Sequence, residues 1–225
     1  MSIGQTWSDQ LRQTMDIADA QYKDRIWVAR MIIWLDGCYG IGKSVVADGV
    51  KNAFEENIEL LDADIYFDDM IKLMVREAKI NKCFPDLNGT RPQNDKKFIA
   101  YFKKIITEKE GKSKNLLVDM ALAEEICKRE LLEALEKERK DIIHIVLTAE
   151  KNEIKQRIKD DQNRGMKELA LDDLDKNLLF YANNYQDAMH IDTSGKNIED
   201  VVREVINTIK SVERRWGRSI HVSNL

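Results

Sequence analysis

A chain of 225 residues with 36 basic and 40 acidic side chains and a formal charge of −4 is long enough to bury a substantial core as one domain. Its charges are well mixed along the sequence, so no basic field draws it to nucleic acid or to a membrane surface. Cys38, Cys83 and Cys127 are odd in number and scattered without a CxxC pair, which suits reduced thiols in the cytoplasm rather than a disulfide or zinc framework.

In chain order, Ser8 can cap a first helix in which Leu11, Met15, Ala18, Tyr22 and Ile26 recur at spacings of three and four, an N-terminal helical extension over 1–30. The first apolar run, 26–35, begins late, is broken by Arg30 and is too short to cross a bilayer, so neither a signal peptide nor a membrane span is expected. A buried strand over 31–35 leads into the glycine-rich stretch 37–44, and helical spacing follows to residue 54. A strand at 58–62, a helix over about 65–79 and a loop around 82–93 with Pro85, Gly89 and Pro92 come next. Asn94 then caps a helix to about residue 109 whose buried stripe is Phe98, Tyr101, Phe102, Ile105 and Ile106. Strands at 116–119 and 142–147 flank a Leu- and Glu-rich helix over 123–139. A charged helix over 150–165, a strand at 188–192, a helix over 198–212 and a tail from 213 complete the chain. Five strands interleaved with helices specify an α/β domain, its mostly parallel sheet sandwiched by helices.

Gly37-Cys38-Tyr39-Gly40-Ile41-Gly42-Lys43-Ser44 fits the phosphate-loop pattern, which arises by chance in such a chain roughly one time in a hundred. Strand, loop and helix come in the required order. The backbone N–H groups from Gly37 to Val45 and the positive end of the following helix would face a nucleotide's phosphates, and the three glycines allow positive φ and close approach. Lys43 would reach the β- and γ-phosphates, and the Ser44 hydroxyl would take one position on Mg²⁺.

Ligands of parallel α/β sheets sit at the carboxyl ends of the strands, so carboxylates that close apolar strands are candidates. Asp62 is the first choice for orienting an attacking hydroxyl and accepting its proton; Asp64 follows as a contact to substrate. Either could instead cap the next helix, Asp64 above all. Asp119 stands where an acidic residue would hold Mg²⁺ through water, with a capping role as the alternative. Arg157 and Arg164, in a lid segment over 150–170, could neutralise charge on the transferred group, or simply face solvent. Arg91, between Gly89 and Pro92 in the proline-bearing loop, is expected to contact an anionic or polar acceptor. His144 and His190 read as core or strand-end residues, and Arg214-Arg215-Trp216-Gly217-Arg218 as a surface or subunit contact, a homodimer included.

The run 31–44 resembles the opening of the tunicamycin-resistance ATP-binding proteins. More broadly the layout from 31 to about 210 is similar to the P-loop small-molecule kinases related to chloramphenicol phosphotransferase, shikimate kinase, gluconate kinase and the zeta toxins. The resemblance implies a P-loop NTPase fold of the nucleoside-monophosphate-kinase type over 31–212, with an acceptor-binding helical region at 65–110. It implies Asp62 as base and places the backbone of Thr193 and Ser194 near the adenine. The expected activity is ATP- and Mg²⁺-dependent transfer of the γ-phosphoryl to a hydroxyl of a small molecule, a nucleoside-like or antibiotic compound among the candidates. Two alternatives stay open: a switch or resistance protein that binds its ligand without phosphorylating it, and a polynucleotide or protein kinase of the same fold. A GTPase is disfavoured, because no NKxD sequence follows the fourth strand.

Overall fold

The computed structural model describes residues 31–82, 95–110, 115–138, 141–162 and 167–217. The helical extension over 1–30, the loop carrying Arg91 and the segment carrying Arg164 lie outside the described residues.

Five strands form one sheet in the order β2-β3-β1-β4-β5, with β1 Ile32–Asp36, β2 Ile58–Asp62, β3 Asn115–Asp119, β4 Ile142–Thr148 and β5 Met189–Asp192. All four neighbouring pairs are parallel. The central strand β1 and its neighbour β3 are buried at every position, as strands covered on both faces must be. The edge strands β2 and β5 carry partly exposed residues instead.

Helix α1, Lys43–Phe54, follows β1, and α8, Ile198–Arg215, closes the chain. They pack together, with Gly49 of α1 against the Val202 side chain of α8. Right-handed crossovers put these two on one face and the intervening helices on the other. Those are α2 Ala63–Ile80, α3 Lys96–Glu110, α4 over 125–138, α5 Lys151–Asp160, α6 Lys167–Asp172 and α7 Leu174–Asn184. Phe98 and Phe102 of α3 stack at 5.3 Å and take Phe67 and Tyr66 of α2 against them. Among the described residues no helix is long and apolar enough to cross a membrane.

The chain leaves β1 toward β2 on one side of the sheet, and leaves β3 toward β4 on the other. A crevice therefore opens between the carboxyl ends of β1 and β3, which is where ligands of such sheets bind.

Several boundaries differ from the sequence expectation. Helix α2 starts at Ala63, because Asp62 rather than Asp64 is its cap: Asp62 Oδ1 accepts the Asp64 N–H at 2.9 Å. Asp95 caps helix α3, its Oδ1 accepting from the Lys97 and Phe98 amides at 2.8 and 3.0 Å; Asn94, the expected cap, lies outside the described residues. Helix α4 widens into a π-helical stretch at Lys128–Leu132. Helices α6 and α7 were not anticipated, because 166–187 mixes apolar and charged residues without a clean stripe. Helix α8 runs on to Arg215, three residues past expectation, with Val212 and Glu213 buried in its last turn.

Candidate active site

A cleft of about 430 Å³ opens at that crevice. Its floor is the loop between β1 and α1, one wall is Asp62–Asp64 at the end of β2, and the other is Asp119 with Met120 and Ala121 at the end of β3. Arg157 and Asp161 flank it from α5.

The loop turns through glycines at φ +79° (Gly40) and +98° (Gly42). A Cβ on Gly40 would lie far inside van der Waals contact with Ile158 of α5. Gly40→Ala is therefore expected to lower stability by about 2 kcal/mol or more, from a left-handed residue plus overpacking, which a thermal melt would read. Gly42 is the N-cap of α1 and offers no side chain, so the first-turn amides of Lys43, Ser44 and Val45 lack intrahelical acceptors. They form the anion-attracting end of the helix. Cys38 and Ile41 are 2% and 1% exposed, and so could meet a ligand only through their backbone. Burial pushes the Cys38 thiol up, against the lowering effect of Lys43; it is a packed, unreactive thiol. Tyr39 flanks the cleft with the Lys43 ammonium 5.9 Å from its ring centroid. The Lys43 Nζ itself donates to the carbonyls of Gly37 at 3.0 Å and Cys38 at 3.3 Å.

Asp119 is 5% exposed. Burial raises its carboxyl above the ordinary range, Lys43 and a hydrogen bond from the Ser44 hydroxyl oppose the rise, and Asp62 and Asp64 add to it. One electrostatic cluster thus joins the sequence-predicted Lys43, Ser44, Asp62, Asp64 and Asp119. The oxygen donors fit Mg²⁺, which takes one or two protein ligands and completes its shell with phosphate and water. Among the described residues no group of three or more His, Cys, Asp or Glu is arranged to hold a metal by protein ligands alone.

Arg157 is more constrained than the sequence suggested. Its guanidinium donates to Ile41 O at 3.1 Å, Thr193 Oγ1 at 2.9 Å, Thr193 O at 2.9 Å and Glu153 Oε1 at 2.6 Å. It stands between the main cleft and a second one of about 190 Å³, walled by Ile41, Val45 and Val46 on one side and Thr193, Ile198 and Val201 on the other. The sequence-predicted pair 193–194 divides here. Thr193 lines the second cleft, whereas the Ser194 hydroxyl is used in the turn, donating to Asp192 Oδ1 at 2.7 Å and accepting the Glu150 amide at 2.9 Å. Those Ser194 donors hold the Asp192 carboxyl below its usual range. His190 bonds Tyr185 O at 2.8 Å and lines neither cleft.

Two acidic residues went unremarked in the sequence. Asp161 lines the main cleft, one residue past α5, with nothing in its local pattern to mark it. Asp36 is wholly buried at the root of the loop, with the His144 Nε2 2.9 Å from its Oδ2. Its signal was present: an aspartate ending a fully apolar strand needs buried partners.

No family model matches the chain. It is 27% identical over 191 residues, 83% of this chain and 89% of the other, to a Pyrococcus furiosus protein provisionally described as an adenylate kinase. The tunicamycin resistance protein of Deinococcus radiodurans superposes with a TM-score of 0.62 at 18% identity, over 87% of this chain and 99% of that one. A gluconokinase from Sinorhizobium meliloti 1021 superposes with a TM-score of 0.57 at 12% identity, over 84% and 96% of the two chains. The chain has the fold of the P-loop small-molecule kinases.

Proposed function

We propose that this protein is an ATP- and Mg²⁺-dependent phosphotransferase that moves the γ-phosphoryl group onto a hydroxyl of a small-molecule acceptor. The observation that carries this reading is the meeting of Lys43, the Ser44–Asp119 pair and Asp62 around one cleft.

The loop amides would hold the phosphates, with Lys43 leaving the carbonyls of Gly37 and Cys38 for the β- and γ-phosphate oxygens. Ser44, and Asp119 through water, would hold Mg²⁺, which would supply positive charge to offset that of the phosphates. The acceptor oxygen attacks the γ-phosphorus, its bond to the β–γ bridging oxygen breaks, and ADP leaves. Asp62 takes the hydroxyl proton; since Oδ1 accepts the Asp64 amide, we assign that proton to Oδ2. Asp64 would contact the acceptor at the edge of an acceptor region over 65–110, to which Arg91 belongs.

The second cleft suits a flat nucleobase, with apolar Val45 and Ile198 on its two sides and the Arg157 guanidinium at its edge. Arg157 so held would position the nucleotide, while Arg164, in the lid segment, is the arginine we assign to the transferred phosphoryl. Arg157→Ala is expected to raise the ATP KM roughly ten-fold with a smaller effect on kcat, since a charge-assisted network to loop and base pocket is lost; steady-state kinetics would show the split.

A hydroxyl acceptor is favoured over a phosphate one, because the described acceptor side presents the carboxylates Asp62, Asp64 and Asp161. These suit a proton to be removed rather than a dianion to be bound. The likeness to an adenylate kinase makes AMP the necessary counter-example. The test is an acceptor panel of sugars, polyols, nucleosides, aminoglycosides, tunicamycin and AMP, read by acceptor-dependent ADP formation and by product mass. A product 80 mass units heavier on a hydroxyl compound is expected; turnover of AMP alone would replace the hydroxyl reading. The resistance-protein likeness supports a second reading, ligand binding without transfer. Calorimetric binding of a panel compound with no phosphorylated product would favour it.

A further inference from the structure

We propose that Asp36 is a positioning residue for this site, locking the phosphate loop, the wall beyond Asp119 and helix α7 into the one geometry in which Mg²⁺ can be held. The inference rests on the nucleotide reading above, but concerns residues that touch neither nucleotide nor metal.

Parallel pairing of β1 with β3 ends at Leu35 and Asp119. Beyond it, Met120 and Ala121 still wall the cleft, and side chains take over their support. Trp34 Nε1 donates to Met120 O at 3.1 Å, Tyr185 OH donates to Leu122 O at 2.7 Å, and the Leu122 amide donates to Asp36 Oδ1 at 2.9 Å. The same oxygen accepts from the Gly37 amide at 2.6 Å and from Tyr181 OH at 2.5 Å, while Oδ2 faces His144 Nε2 at 2.9 Å. One carboxylate therefore ties the first amide of the loop to the residue three places after Asp119, and both to α7.

Asp36 is 0% exposed and Tyr181 5%, so water cannot stand in for a lost partner and the full desolvation penalty of the remaining groups is felt. The rings of Tyr181 and Tyr185 lie 5.5 Å apart, and the His144 ring meets Tyr185 edge-on at 4.8 Å, which leaves these donors little freedom to turn away. Mg²⁺ tolerates little departure from octahedral geometry at about 2.0–2.1 Å. A small shift of the loop and Ser44 against Asp119 would thus cost metal affinity first. Affinity for the metal-free nucleotide, held by loop amides that move as one piece, would change less.

The test is calorimetric titration of ADP with and without Mg²⁺ on the full chain, for wild type, Tyr181→Phe, Asp36→Asn and Asp36→Ala. Wild type is expected to bind ADP more tightly with Mg²⁺. In Tyr181→Phe, which removes one oxygen from a packed ring, metal-free affinity should stay within about two-fold while the magnesium-dependent gain falls roughly ten-fold, near the lower end of the scale for a hydrogen bond to a charged group. Asp36→Asn, which keeps an oxygen for the two amides, should retain more of that gain than Asp36→Ala. A purely structural role would lower the melting temperature and both affinities together, and that outcome, or an unchanged gain in folded Tyr181→Phe, overturns the proposal. A wild-type chain that binds no ADP in either buffer would instead remove the nucleotide reading beneath it.

Discussion

Lys43→Ala is expected to lower the rate of phosphoryl transfer by roughly 10²- to 10³-fold or more, the range for removing one preorganised electrostatic group from a reacting centre. The ammonium is the mobile charge of the loop. It stands on the carbonyls of Gly37 and Cys38, within one side-chain swing of the space above them, while the amides of the helix start supply only fixed dipoles. The loss should fall mainly on kcat, because charge develops on the β–γ bridging oxygen as its bond to the γ-phosphorus breaks, and the amides still bind the ground-state phosphates. The fold should survive, since the change forfeits only hydrogen bonds to two loop carbonyls, a cost of about 1 kcal/mol. Steady-state ADP formation together with a thermal melt would separate the two effects. Arginine should not restore activity, because its planar fork cannot replace a compact ammonium. Retained turnover in Lys43→Ala would remove the phosphate loop from the chemistry.

Asp62→Asn is expected to lower kcat roughly 10²- to 10⁴-fold, the scale of a lost general base, with little change in melting temperature. The structure makes this substitution unusually clean. Asp62 is at once the candidate base and the N-cap of α2. Asparagine caps as well as aspartate does, so the variant keeps the wall of the cleft and loses only the proton acceptor. Asp62→Ala loses both, and should cost about 1 kcal/mol of stability besides the activity. Asp64→Asn offers the contrast: a rise in acceptor KM with kcat much less affected. If Asp62→Asn turned over acceptor at the wild-type rate, the proton would have to leave by another route, Asp64 or Asp161 being the carboxylates at hand.

The β1–loop–α1 unit was legible from residues alone because its determinants are local. An unbroken apolar run must be buried on both faces, and glycines at fixed spacing serve a backbone that must reverse and still reach a ligand. The strands with Asp62 and Asp119 at their ends were legible for the same reason, a polar residue closing an apolar stretch. Which of Asp62 and Asp64 caps α2 stayed open, since the two are chemically alike and only the backbone path decides which oxygen meets which amide. Helices α6 and α7 had no clean periodic stripe, and with them Tyr181 and Tyr185 were missed as partners of the loop.

By itself, the sequence determined the five strands, the phosphate loop and the carboxylates at the strand ends, because each depends on burial and backbone conformation within a few residues. Only the tertiary structure decided what those groups face. It set Arg157 across Ile41 and Thr193, tied the Ser194 hydroxyl into a turn, and brought Tyr181, 145 positions away in the chain, onto Asp36. Such partnerships follow from strand order and helix packing, where hydrogen bonds between distant segments must satisfy buried polar groups that no local pattern can pair.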